Sequence, residues 1–283
     1  MNALPERAPL DENTLKDVVQ RVLEEAARLQ VDQVEVSASH DIGLAATARL
    51  GEVENLEYTN DRGVWVTVYR NRRKGSASTS DFGRAALLEA VQKACSFARY
   101  TAEDEHAGLA DAERMAKDPP DLDLAHAWPL ASDDAIRLAI ECEDAARESD
   151  ARITNSEGAT VATNSGIRAY GNSHGFIGAY AKTSHSLSCI VVGEEDGVME
   201  RDYWYTAARN PAELESAEAV GRRAAERTVR RLGARKIPTM TAPVLFVPEL
   251  ARGFIGHAVG ALAGTAQYRK SSFLLGAAGD RVF

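Results

Sequence analysis

Cysteine is scarce. Cys95, Cys142 and Cys189 stand far apart in 283 residues, odd in number and set in apolar patterns. They form no CxxC pair or other metal-ligand spacing, which excludes a disulfide-rich scaffold and points to a reducing cytoplasm. Long apolar runs are missing too. The longest, Gly253 to Ala266, is glycine-rich, too short to span a bilayer and interrupted by His257. Met1 to Asp11 carries Pro5, Pro9 and mixed charge without the apolar stretch of a signal peptide, so a cytoplasmic protein with no membrane segment is expected. Positive charge is also short. A net charge of -9 sets most of the surface against backbone phosphates, which excludes nucleic acid as a general partner. The remainder, 45% hydrophobic and 27% charged, suits a globular chain of two domains, or of one large domain plus part of another.

Periodicity divides the chain. Leu15, Val18, Val19, Val22, Leu23, Ala26 and Leu29 recur at helical spacing. The period then falls to two. Val34 and Val36 open a strand, with Ile42 to Ala48 as its hairpin partner. Val53 to Thr59 and Val64 to Tyr69 form a second pair, turning through Asn60-Asp61-Arg62-Gly63, and Arg73 to Thr79 adds a strand. A helix from about Gly83 to Tyr100 closes the unit. Acidic, proline-broken sequence from Thr101 to Pro129 reads as a linker. A second unit then repeats the order loosely. A helix starts at Ser132 as N-cap. Strands follow over Ile153 to Val161, Gly166 to Asn172, Phe176 to Thr183, Ser186 to Gly193 and Met199 to Ala207, and a last helix starts at Asn210-Pro211. Beyond Lys236, Pro243 to Pro248 reads as a buried strand and Glu249 to Ala266 as a glycine-rich helix. The expected fold is α+β: two helix–antiparallel-meander–helix units over residues 1–118 and 119–236, then the start of a mainly-β third domain over 237–283, cut short.

No nucleophile elbow of the G-x-S-x-G kind is present. Gly256, Gly260 and Gly264 recur every four residues, which lines them on one helix face and forms no phosphate loop. His185 and Cys189 share a strand face with Leu187, which makes them core residues in preference to metal ligands, and His174 lies apart in a turn region. Arg222, Arg223, Arg227, Arg230 and Arg231, followed by Arg235 and Lys236, make either a solvated helix face or a dock for an acidic partner. His257 stands on an apolar helix whose next positions, Ala258, Ala261 and Leu262, offer neither a base nor a second ligand. One histidine cannot hold catalytic zinc, which takes three protein ligands.

Arg73-Lys74-Gly75-Ser76-Ala77-Ser78, Arg99-Tyr100-Thr101, Ile153 to Gly158, Gly171-Asn172-Ser173-His174-Gly175, Met199 to Tyr203 and Tyr268 to Phe273 resemble the TldD/PmbA family, closest to its PmbA or TldE branch. The resemblance implies a cytoplasmic zinc protease complex acting on unfolded or extended peptides, including microcin precursors and antitoxins. In that family the TldD subunit carries an H-E-x-x-x-H zinc helix. Laid on this sequence, the motif falls on His257, Ala258 and Leu262, so the resemblance implies a chain without catalytic residue, metal or other cofactor of its own. It would be the non-catalytic partner of a TldD-like subunit that holds the zinc, in a hetero-oligomer, with a homodimer as the alternative assembly. The family's remaining C-terminal domain is absent from the sequence, which implies a truncated chain. Two readings stand against this one: a hydrolase built on His174, His185 and Asp202, and a remnant without function.

Overall fold

The computed structural model describes residues 9–282. Residues up to Ala234 and those from Arg235 onward form two separate units. The first is one six-stranded antiparallel sheet with four helices on one face.

Helix α1 (Glu12–Arg28) is capped by Asp11, whose Oδ1 accepts the Thr14 amide at 2.9 Å. It buries Leu15, Val18, Val19, Val22 and Ala26. Four strands are far longer than average: β1 (Gln33–Arg49), β2 (Glu52–Arg70), β4 (Ile153–Asn172) and β5 (Ile177–Glu195). Two short ones, β3 (Arg73–Thr79) and β6 (Val198–Ala208), close the edges in the order β3-β2-β1-β4-β5-β6. Helices α2 (Arg84–Ala98), α3 (Ser132–Arg147) and α4 (Ala217–Val229) complete the unit. The sequence order helix–meander–helix thus recurs twice, and the pairing of β1 with β4 fuses the two meanders into one sheet.

Alternation decides which face is covered. On β1, Val34, Val36 and Ala38 pack under α1 and α2, while Leu44, Ala46 and Ala48 pack with α3 and α4. All six share parity, so both cores lie side by side on the same sheet face. The opposite face is polar and carries Glu35, Asp41, Arg168 and Tyr170.

Several local expectations are corrected. The residues Asn60-Asp61-Arg62-Gly63 do not turn. They run extended inside β2, opposite Ile42, Asp41, His40 and Ser39 of β1. The expected breaks within 33–49, 153–172 and 177–195 are likewise absent, because each run finds a full-length neighbour. Three hairpins turn through two residues, Leu50-Gly51, Asn71-Arg72 and, as expected, Asp196-Gly197, with positive φ at both, as type I′ loops require. Leucine is a poor left-handed residue, and its turn is held from a distance: buried Glu143 on α3 accepts the Leu50 and Gly51 amides at 2.8 and 2.9 Å.

The N-cap of α3 is Ala131, with Ser132 already inside the helix. Asn210-Pro211 begins only a short 3-10 turn, and α4 starts later, capped by Ser216 on the Ala219 amide at 3.2 Å.

The unit from 235 onward holds α5 (Pro248–Leu262) and α6 (Gly264–Tyr268). The segment 243–247, expected as a strand, forms none. A single strand has no neighbour among the described residues there to take its amides and carbonyls. The glycine-rich helix also ends at Leu262, because Ala263 takes an extended conformation before α6.

Candidate functional site

The positions on which the resemblance lays the zinc motif, His257, Ala258 and Leu262, lie on α5. His257 is exposed, Ala258 half-buried, and Leu262 57% exposed. The set offers one imidazole, one methyl and one isobutyl group. Neither alkyl group can bind a metal or take a proton, so these residues do not fit a catalytic zinc ion. Among the described residues no group of three or more His, Cys, Asp or Glu side chains is placed to hold a metal ion.

The three hydrolase candidates do not converge. His185 sits in the core with both ring nitrogens engaged: Thr163 Oγ1 lies 2.8 Å from Nδ1 and the His126 carbonyl 2.8 Å from Nε2. The Nε2 proton therefore goes to the carbonyl and Nδ1 accepts the hydroxyl, while Trp128 packs edge-on at 5.5 Å. Asp202 pairs with Val191, six residues along β5 from His185, roughly 20 Å away at strand rise. It faces Arg227 and Arg231 at 3.6 and 3.8 Å. His174 is exposed in the β4–β5 turn, where its amide bonds Asn172 Oδ1 at 3.0 Å. Cys189 is fully buried against Cys142, and that neighbouring thiol, ahead of burial, pushes the Cys142 thiol far up.

The arginines of α4 and of the residues just after it are largely occupied. Arg222 pairs with Glu218, Arg230 with Glu226 and Arg231 with Glu200. The Arg223 guanidinium carbon lies over the Trp204 ring, 3.7 Å from its centre. This is a charge-laced solvated face.

One polar set was not legible in the sequence. Glu35 on β1 accepts from Tyr69 Oη at 2.8 Å and Tyr170 Oη at 3.1 Å, one tyrosine on each flanking strand. Burial, then the carboxylate, raises the Tyr69 pKa, and burial raises that of Tyr170. With both oxygens taken, Glu35 serves as a pin across three strands. The signal for it is the register, which puts Tyr69 and Tyr170 diagonal to Glu35, and register is not readable from local sequence.

An α+β fold of two helix–meander–helix units joined in one antiparallel sheet is the class these features define. Comparison with known proteins agrees. Residues 34–98 match a family model described as PmbA/TldA metallopeptidase domain 1, and residues 125–232 match the PmbA/TldA metallopeptidase central domain. The chain belongs to the PmbA/TldE family. It is 46% identical over 268 residues to the metalloprotease PmbA of Escherichia coli, covering 95% of this chain and 59% of that protein. A PmbA homolog of Haemophilus influenzae is 41% identical over 271 residues, covering 96% and 60%. The chain thus spans about three fifths of the length of these relatives. A solved structure from Bacteroides thetaiotaomicron, described as a candidate modulator of DNA gyrase, superimposes with TM-score 0.86 at 26% identity, over 94% of this chain and 61% of that one. TldE from Thermococcus kodakarensis shares the fold at TM-score 0.70 and 17% identity, over 92% and 58%.

Proposed function

We propose that this chain is a binding and scaffolding subunit: the non-catalytic partner of a TldD-like zinc protease subunit in the cytoplasm. The pair would degrade or process unfolded or extended peptides, with microcin precursors and antitoxins as the substrate classes the family suggests. The carrying observation is the donor set at His257, Ala258 and Leu262, where two of three positions have no group for metal or proton. The scattered positions of His174, His185 and Asp202 give no support to a second hydrolytic site. In this reading residues 1–118 and 119–236 are two α+β domains sharing a sheet, and 237–283 opens the domain that in the TldD-like subunit holds the zinc. What the chain itself contributes is rigid, hydrogen-bonding β surface, the kind that holds a peptide by its main chain.

The test is peptidase activity on an unstructured peptide by this chain alone, a TldD-like subunit alone, and the two mixed, with zinc quantified in each. Activity and zinc that track the TldD-like subunit, and activity that rises on mixing, are the expected result. Chelator-sensitive cleavage by this chain alone would overturn the proposal.

A further inference from the structure

The edge of the sheet beside β2 is only half closed. Strand β3 pairs with Val64 to Arg70 and stops at Thr79 opposite Val64. Upstream of that point, β2 continues from Glu52 to Gly63 paired to β1 on one side, and no described residue pairs with its outer side. This leaves an open edge of about 40 Å at strand rise. Helices α1 and α2 pack at the other end of the sheet and α3 lies chiefly over β1 and β4, so the helix-side residues here stay uncovered. Val53, Leu56 and Tyr58 are 47, 40 and 42% exposed, an apolar row on a strand paired on one side alone.

The charge on this edge is one-sided. Glu52, Glu54, Glu57 and Asp61 lie within it, against Arg62 alone, with Arg49 reaching Glu54 at 3.6 Å from the neighbouring strand. Two copies of the chain meeting here would set eight carboxylates against two Arg62 guanidiniums and the two Arg49 side chains that reach Glu54, and like charges across strands are destabilising. The complement is an extended strand bearing lysine or arginine, with apolar residues at alternate positions to lie beside Leu56 and Tyr58.

We propose that the outer edge of β2 from Glu52 to Gly63 is a docking site for an extended, basic peptide segment that adds to the sheet as a further strand. Main-chain hydrogen bonds would hold it, the acidic side chains would select its charge, and the Leu56–Tyr58 row would set its register. The site stands on the geometry of residues 33–79 and does not depend on the protease assignment.

The probe is a synthetic peptide of about nine residues alternating lysine and valine, blocked at both ends, with a glutamate–valine counterpart as control. Binding to the full chain is followed by fluorescence anisotropy, and amide exchange locates it. The expected result is that the lysine peptide binds, more weakly as salt rises, and slows exchange at amides within Val53–Arg62. The double variant Glu54→Lys, Glu57→Lys changes two exposed side chains, and its circular dichroism checks that it folds. It should lose about tenfold or more for the lysine peptide and gain for the glutamate one. Equal binding of the lysine peptide by the variant would overturn the proposal. So would failure of the wild type to bind it, which would leave the acids as guards against edge pairing. A wild-type dimer that the double variant dissociates would make a second copy the occupant and overturn it as well.

Discussion

Glu143 is a carboxylate with no exposed surface, and it remains affordable there because two backbone amides from the β1–β2 turn point at it. Glu143→Ala removes both bonds and frees a leucine held at positive φ, so a loss of roughly 2–4 kcal/mol is expected by chemical denaturation, with Glu143→Gln losing less. His185 gives the opposite lesson about a polar core group. Its two nitrogens are already satisfied, so His185→Ala should cost about 2–4 kcal/mol and leave bound-metal content unchanged, as metal analysis would show. Tyr69 contributes a pH dependence at the alkaline end. Its phenol is raised above the ordinary value of 10.0, first by burial and then by Glu35. A raised folded-state pKa means the folded chain holds the proton more tightly. The stability this contributes is therefore complete below about pH 10 and fades as pH climbs through the raised value. Ultraviolet difference titration should show one late-ionising phenol fewer in Tyr69→Phe, whose stability falls less steeply in alkali.

Two glycines govern how closely elements pack. Gly221 on α4 sits against α3, and a Cβ there would run into the Cys142 carbonyl oxygen and approach the Ala146 amide at 3.0 Å. Alanine in a helix gains about 1 kcal/mol over glycine. The obstacle here is backbone, which cannot swing aside, so overpacking wins and Gly221→Ala should cost roughly 1–3 kcal/mol net. Gly75 on β3 is the counterpart in the first half, where a Cβ would collide with the Ala94 carbonyl and the Ala98 amide of α2. Differential scanning calorimetry on Gly221→Ala and Gly75→Ala checks the pair, and a neutral Gly221→Ala would mean that α3 and α4 have room to separate. The helix faces were legible in advance. Leu15, Val18, Val19 and Val22 recur every three or four residues, and that period survives any tertiary context. Strand ends were not legible, because a run such as 60–63 turns or continues according to whether a partner strand lies opposite.

At the scale of the molecule, two apolar cores share one sheet. Because β1 and β4 run through both, the halves should melt together. Leu15→Ala in one core and Leu187→Ala in the other should each lower a single transition by roughly 2–5 kcal/mol, with circular dichroism and tryptophan fluorescence coincident. Two separated transitions would mean that the β1–β4 pairing does not couple them. The sequence by itself determined the α+β class and the helical faces, and it made Ala258 and Leu262 alkyl, since no fold can give such a side chain a lone pair. Only the tertiary structure decided that the two meanders become one sheet, that Leu50-Gly51 is the turn, and that half of β2 lies open. The first two depend on a hydrogen-bond partner distant in the chain, and the third on where β3 stops: Glu143 is 93 residues from Leu50, and β4 begins more than a hundred residues beyond the end of β1. Local periodicity records which side chains avoid water, whereas long-range pairing is fixed only when the whole chain closes on itself.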